Sequence, residues 1–281
     1  MIKLGYYNNL EIIRLSDLGY MLKDKDSEEE VLLHFNQAKE KHEVGDNIKV
    51  FIYADKKKRP TATEADVLVT LDTPGFAEIK DVDVNLGVYA SINTPKDILI
   101  SKDSLPYDKS LWPNIGDKVL MKLKLKTDAL VGKILGEYDI LDLNPKFHYA
   151  EREKTKGYVT RCMEKGVGIV TIDLKYIFVP DFELRGKYHL GQEVEVTITK
   201  ENGSSYYGML VPQKEELIDE DKKLLLTYLK NNKNRMHLTA KSSSEDVYNL
   251  LKMSRKAFKR ALGGLYKDGV IDFEDDYTIL K

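Results

Sequence analysis

The chain has 281 residues, enough for several domains with their own cores. Its 44 basic and 46 acidic side chains leave a net charge of −2, so bulk charge points to no partner and a nucleic-acid role would rest on local basic patches. The single cysteine, Cys162, excludes an internal disulfide and a cysteine-based zinc or iron–sulfur centre. The lone cysteine also fits a reducing cytoplasm; no run is long enough to span a bilayer, and residues 1–7 lack an apolar stretch of signal-peptide length.

In chain order, residues 12–15 and 20–22 read as strands, 23–30 as a charged loop and 31–35 as a buried strand. Gly45-Asp46 then opens a further strand, and a charged hairpin at 54–60 closes the unit. The same turn returns as Gly116-Asp117 and as Gly191-Gln192. Glycine permits the turn backbone, the next side chain can hydrogen-bond it, and the alternation that follows buries one face. Upstream of each turn lie a glycine-opened strand, starting at Gly19, Gly87 or Gly166, and an apolar strand at 31–33, 97–100 or 176–180. A repeat of about 70 residues suits a small closed domain rather than a solenoid unit. The expectation is three tandem barrels over 1–63, 64–143 and 144–212.

Within the second barrel, 121–126 alternates strictly, so Met121, Leu123 and Leu125 are expected inside and Lys122, Lys124 and Lys126 outside. Residues 143–146 read as a junction. In the third barrel, Gly157-Tyr158 matches Gly75-Phe76 in position and type.

From Gln213 the apolar spacing becomes helical, at Leu217, Leu224, Leu225, Tyr228 and Leu229, with Asp219 as N-cap and Asn231-Asn232 as the end. A short strand at 236–238 follows. Ser243 with Asp246 reads as a capping box for a helix through Leu251. Ser254 caps a helix from Arg255 to about Lys267, with Phe258, Leu262 and Leu265 facing in, and Gly269 stops it. A terminal hairpin, 270–273 and 277–280, completes the winged-helix order over 213–281. The expected fold is mainly β with a C-terminal α+β domain: three tandem OB-fold barrels followed by a winged-helix domain.

Tyr176-Ile177-Phe178-Val179-Pro180 and Gly191-Gln192-Glu193-Val194-Glu195-Val196 resemble the S-one domain, a five-stranded RNA-binding barrel named after a ribosomal protein. The run from Met253 through Arg255, Lys256, Lys259 and Arg260 to Lys267, taken with the repeats, resembles the bacterial conserved virulence factor B family of regulators. The resemblance spans nearly the whole chain. It implies tandem barrels, a winged helix, RNA binding and a regulatory role. The first repeat departs most, because its aromatic aligns as Tyr20 only with a one-residue shift.

Barrels of this kind bind single strands by stacking bases on aromatics while Lys and Arg track phosphates. The candidate rings are Phe76 and Tyr89 in the second repeat and Tyr158 in the third; each could equally be a core residue. The nearest cations are Lys96, Lys102, Arg161 and Lys165. On the last helix, Arg255, Lys256, Lys259 and Arg260 are expected to flank the buried face and contact phosphates. The acidic turn Glu274-Asp275-Asp276 disfavours a duplex beside that helix. The histidines are scattered without metal-ligand spacing and no glycine-rich phosphate loop is present, so no metal, cofactor or catalytic role is expected. The function expected is a non-enzymatic, cytoplasmic regulator that binds single-stranded RNA, the winged helix extending the barrels' surface. Ribosome or RNA polymerase are candidate partners, and no membrane is. A DNA-binding transcription regulator using the winged helix, or a protein-binding scaffold, are the alternatives.

Overall fold

The computed structural model describes residues 1–126, 129–143, 145–184, 186–210 and 214–281, with 214–220 as backbone only. Asn144, Pro212 and Gln213, where two of the expected boundaries fall, lie outside the described residues. The chain divides into two compact units, Met1–Leu210 and Val211–Lys281.

The first unit holds three copies of one topology. Strands β1 (Tyr7–Ser16), β2 (Gly19–Lys23), β3 (Glu30–His34), β4 (Asn47–Ala54) and β5 (Pro60–Thr63) close into a barrel of order β1-β2-β3-β5-β4. The second copy is β6 (Gly75–Asp83), β7 (Gly87–Ser91), β8 (Ile98–Ser101), β9 (Lys118–Lys126) and β10 (Ala129–Ile134). A short helix, α1 (Glu137–Leu141), leads to the third: β11 (Lys154–Met163), β12 (Gly166–Thr171), β13 (Tyr176–Pro180), β14 (Glu193–Asn202) and β15 (Ser205–Leu210), again a closed barrel.

The repeated turn does in the structure what its residues suggest. Gly45, Gly116 and Gly191 have φ of +102°, +92° and +79°. The side chain after each accepts a bond from the backbone N–H three residues earlier: Asp46 from Glu43 at 2.8 Å, Asp117 from Asn114 at 2.6 Å and Gln192 from His189 at 3.2 Å. Each glycine N–H donates to the first strand of its own barrel, at Ile12, Ile79 or Val159. Just past that residue each first strand carries a bulge, between Ile12 and Arg14, Ile79 and Asp81, and Val159 and Arg161. A bulge bends a strand, which lets one long strand pair with a different neighbour along each half.

The middle copy differs from expectation in one respect. Its five strands form an open sheet, β10-β9-β6-β7-β8, in which β8 and β10 lie side by side without a ladder. The reason lies next door. Phe51 and Tyr53 of β4 are buried in the second copy's core with Val69, Ile98, Ile100 and Leu130. The first barrel therefore covers part of what a closed barrel would cover for itself. The alternation of β9 also ends early: Leu123 is buried but Leu125 is exposed, at the free end of the β9–β10 hairpin.

Helix α1 joins the second copy to the third. Asp139 Oδ1 accepts from Lys122 Nζ at 2.6 Å and Oδ2 from Lys133 Nζ at 2.7 Å. Burial alone would raise this carboxyl, but the two lysine hydrogen bonds outweigh it and hold its pKa at about 2. Because the folded value lies below the ordinary 3.8, the stability it contributes is present above pH ~4 and lost as pH falls through about 2. Asp139→Asn is expected to lower the melting temperature at pH 7 and to flatten its fall between pH 4 and pH 2. Parallel acid melts of the two proteins would show this, and superimposable relative profiles would mean the clamp contributes nothing.

The second unit is built from α2 (Lys214–Asn231), β16 (Arg235–Met236), α3 (Ser244–Leu251), α4 (Arg255–Lys267), β17 (Ile271–Glu274) and β18 (Tyr277–Leu280), with sheet order β16-β18-β17. Helix α2 starts at Lys214, so Asp219 lies inside it rather than capping it. Ser243 accepts from the Asp246 N–H at 3.0 Å and Ser254 from the Ala257 N–H at 3.2 Å, capping α3 and α4 as their sequences suggest. Leu225, Leu229, Met236, Val247, Phe258, Leu262 and Ile271 form its core.

Candidate nucleic-acid interface

The two rings matched in sequence are not equivalent in space. Tyr158 pairs with Glu193, the first residue of β14, whereas Phe76 pairs with Leu120, the third residue of β9. Measured from the bulges, Tyr158 corresponds to Glu78, and Phe76 to Lys156. Instead of marking two copies of one site, the rings meet each other, with centroids 5.2 Å apart. Both are partly buried against Leu120, Leu135, Ile140, Val170 and Tyr176. Burial, and then the Glu193 carboxylate 3.3 Å from the hydroxyl, push the Tyr158 phenol above its ordinary pKa. This contact joins the second and third copies. Leu190 N–H donates to Leu111 at 3.0 Å, Lys118 N–H to Gly191 at 3.2 Å, and His189 Nε2 lies 2.8 Å from Asp117 Oδ2.

Tyr89 projects from β7 and is half-buried between its cross-strand partners Asp81 and Leu99. Lys102 is exposed just past β8. Lys96 turns toward the first barrel, where its Nζ donates to the Asp55 carbonyl at 3.2 Å. The expected ring of the first barrel, Tyr20, is buried and packs edge-on against Phe35 and His42. The position equivalent to Tyr89 is Met21, because a one-residue shift moves a side chain to the other face.

The third copy carries the most developed surface. Arg161 pairs with Gly168, Gly168 with Phe178, Phe178 with Tyr207, and Tyr207 with Lys200. Cross-strand partners share a face, so one row runs through all five strands. Gly168 is required there, since a Cβ would lie 2.5 Å from the Tyr176 hydroxyl. Phe178 and Tyr207 are in edge contact at 6.1 Å, and Arg161, Lys200 and Tyr207 are exposed. Lys165 is also exposed, at the β11–β12 turn. Phe178 and Tyr207 escaped the sequence reading because their parallel pairing joins segments far apart in the chain. The alternation within 176–180 and 205–210 was the available signal.

On α4 the four expected cations divide. Arg260 is ion-paired with Asp221 at 2.9 Å, and Arg255 is partly buried. Lys256 and Lys259 are exposed and form no ion pair among the described residues. At the far end Tyr266 lies against Phe273 of β17, at 5.2 Å. Among the described residues no group of three or more His, Cys, Asp or Glu could hold a metal ion, and no helix is long and apolar enough to cross a membrane.

Three S-one-like copies and a winged helix define a multidomain protein made of modules typical of nucleic-acid binding. Family models agree: an S1 domain matches residues 4–64, a first S1-like domain of the CvfB type 75–133, and a CvfB-like winged helix domain 223–280. The Bacillus subtilis protein YitL is 31% identical over 282 residues, covering 99% of this chain and 93% of that one. Conserved virulence factor B of Staphylococcus haemolyticus is 29% identical over 276 residues, covering 96% and 92%. A crystal structure described as a multidomain protein with nucleic acid binding domains, from Streptococcus pneumoniae, is 28% identical with a TM-score of 0.64, covering 99% of this chain and 98% of that one. The chain belongs to the conserved virulence factor B family.

Proposed function

We propose that the protein is a non-enzymatic, cytoplasmic regulator that binds single-stranded RNA chiefly through its third barrel. The second barrel and the winged helix add contacts. The observation that carries this is the row Arg161–Gly168–Phe178–Tyr207–Lys200, two rings between two cations on one face. Every base has a face that can stack on a ring, and cations on either side follow the backbone. Tyr89 with Lys102 offers a smaller version on the second barrel, and Lys165 lies at the edge of the third. The description of the pneumococcal structure supports nucleic-acid binding, and the staphylococcal relatives are named as a virulence factor. Phe76 and Tyr158 contribute by holding the two barrels in register, and Lys96 by tying the second to the first.

In the winged helix, Lys256 and Lys259 contact phosphates. Reading of duplex DNA is disfavoured, because the β17–β18 turn places Glu274, Asp275 and Asp276 where a wing would meet phosphates. Fluorescence anisotropy with single-stranded RNA and with duplex DNA of the same sequence tests the reading. RNA is expected to bind more tightly; tight, sequence-specific duplex binding would replace this proposal with transcriptional control. Lys256→Glu with Lys259→Glu is expected to weaken RNAs of different sequence about equally. It is also expected to reduce the slope of log affinity against log salt by roughly two contacts. An unchanged slope would take α4 out of the RNA path.

A further inference from the structure

The row across the third barrel has a gap that is filled from the neighbouring row. Its second member, Gly168, has no side chain and stands between Arg161 on β11 and Phe178 on β13. A Cβ at Gly168 would point to the same face as those two partners. It would lie 2.5 Å from the Tyr176 hydroxyl and 2.8 and 2.9 Å from the ring carbons Cε2 and Cζ. The end of the Tyr176 ring therefore occupies the place of the missing side chain. Along the outer face the order is the Arg161 guanidinium, the Tyr176 hydroxyl, the rings of Phe178 and Tyr207, and the Lys200 ammonium.

Tyr176 is 1% exposed and packs with Leu120, Leu135, Ile140 and Val170. Its hydroxyl is buried and has no hydrogen-bond partner among the described residues. Burial, and then the Glu137 carboxylate of α1, push the phenol above its ordinary pKa, while Arg161 acts against them. Glu137 is thus close to the hydroxyl without reaching it at hydrogen-bond geometry. Arg161 is exposed and forms no ion pair among the described residues, so its guanidinium can turn to a phosphate. A buried hydroxyl without a partner destabilises a fold, and phenylalanine would fill the same space with nothing left to pair. The unpaired group stands beside the side chains that meet RNA, where a ligand can pair it.

We propose that the Tyr176 hydroxyl, with Glu137 beside it, reads the ribose 2′-hydroxyl of the nucleotide whose base stacks on Phe178, so that the third barrel selects RNA over DNA. This rests on the single-strand reading of the row given above. A nucleotide runs phosphate, sugar, base, and the row runs cation, hydroxyl, ring. The group that falls between Arg161 and Phe178 is therefore the sugar. Its 2′-hydroxyl both donates and accepts, and it is what separates RNA from DNA. It accepts from the phenol and donates to the carboxylate, which gives the Tyr176 hydroxyl the partner it lacks. In the free protein that hydroxyl is shut from solvent, and the turn of Arg161 toward the phosphate opens the approach.

The test uses the full chain with labelled oligouridylate and oligodeoxyuridylate of equal length, which differ only in the 2′-hydroxyl. The native protein is expected to bind the ribose strand roughly tenfold more tightly, about what one hydrogen bond beside a charged group contributes. Tyr176→Phe is expected to bind the two strands alike and to melt at a higher temperature, because the group removed was unpaired in the free protein. A residue with a purely structural role would move neither the ribose preference nor the melting temperature in this direction. A melting temperature that fails to rise would mean that the hydroxyl is already paired within the fold, and would overturn the proposal. So would an equal loss of affinity for both strands, which would make Tyr176 a support for the rings, or a ribose preference that the variant keeps. Equal binding of both strands by the native protein would overturn the ribose contact and leave the stacking row standing. Binding of neither strand would remove the row itself, and this proposal with it.

Discussion

Alanine at Phe178 and at Tyr207 is expected to weaken single-stranded RNA binding by ~1–3 kcal/mol for each ring that carries a base, the largest effect on binding of any pair in the barrels. The two rings touch, so their losses need not add, and the double variant is to be compared with both single ones. Tyr207 is the cleaner probe. It is 37% exposed, and its removal leaves the inner strand positions Tyr206 and Leu210 in place. Phe178 also packs toward Val170 and Tyr176, so its alanine variant is expected to lose some stability as well. Titration of a labelled single strand, paired with a thermal melt, separates the two effects. A Tyr207→Ala protein that melts normally and binds RNA as before would show that the row is not the binding face.

Phe258→Ala is expected to be the most damaging single change to stability, by about 3–5 kcal/mol. Phe258 is fully buried at the centre of the small core made by α2, α3, α4 and β17. A domain of this size is stable by only a few kcal/mol more than that. The loss is expected to be confined, because the chain divides at Leu210 into two separately packed units. Calorimetry of the variant is therefore expected to show the barrel transition intact and the winged-helix transition shifted far down or gone. RNA binding is expected to persist with a shallower salt slope, since the phosphate contacts of Lys256 and Lys259 go with the helix. Coincident destabilisation of both units would mean that they fold as one.

The architecture was legible because its signals are local. A Gly-Asp pair that must take positive φ, a Ser three residues before a helical N–H and a change of apolar period from two to helical spacing are each written in a few adjacent residues. The surface was less legible because it depends on register. Gly-aromatic-apolar can be slid by two residues without changing face, which is how Phe76 and Tyr158 came to be paired as equivalents. A slide of one residue does change face, and Tyr20 went inside. Asp219 could pass for a cap because nothing local says that the helix begins earlier. Parallel pairing of β13 with β15 leaves no turn between them to betray it, so Tyr207 could not be placed beside Phe178 from sequence. Ion pairing is equally non-local: Arg260 reads as a free cation until Asp221 is brought to it.

The missing ladder between β8 and β10 fixes an order of events. A sheet whose core is completed by Phe51 and Tyr53 of its predecessor is not a module that can be moved, duplicated or excised at will. Its folding instructions are partly written in the barrel before it. On a ribosome that barrel is made first and can fold first, so the surface that the second sheet needs is already in place when Val69 and Ile98 emerge. Placed at the N-terminus instead, the same sheet would leave the ribosome with one flank of its core open to water, an invitation to pair with the wrong chain.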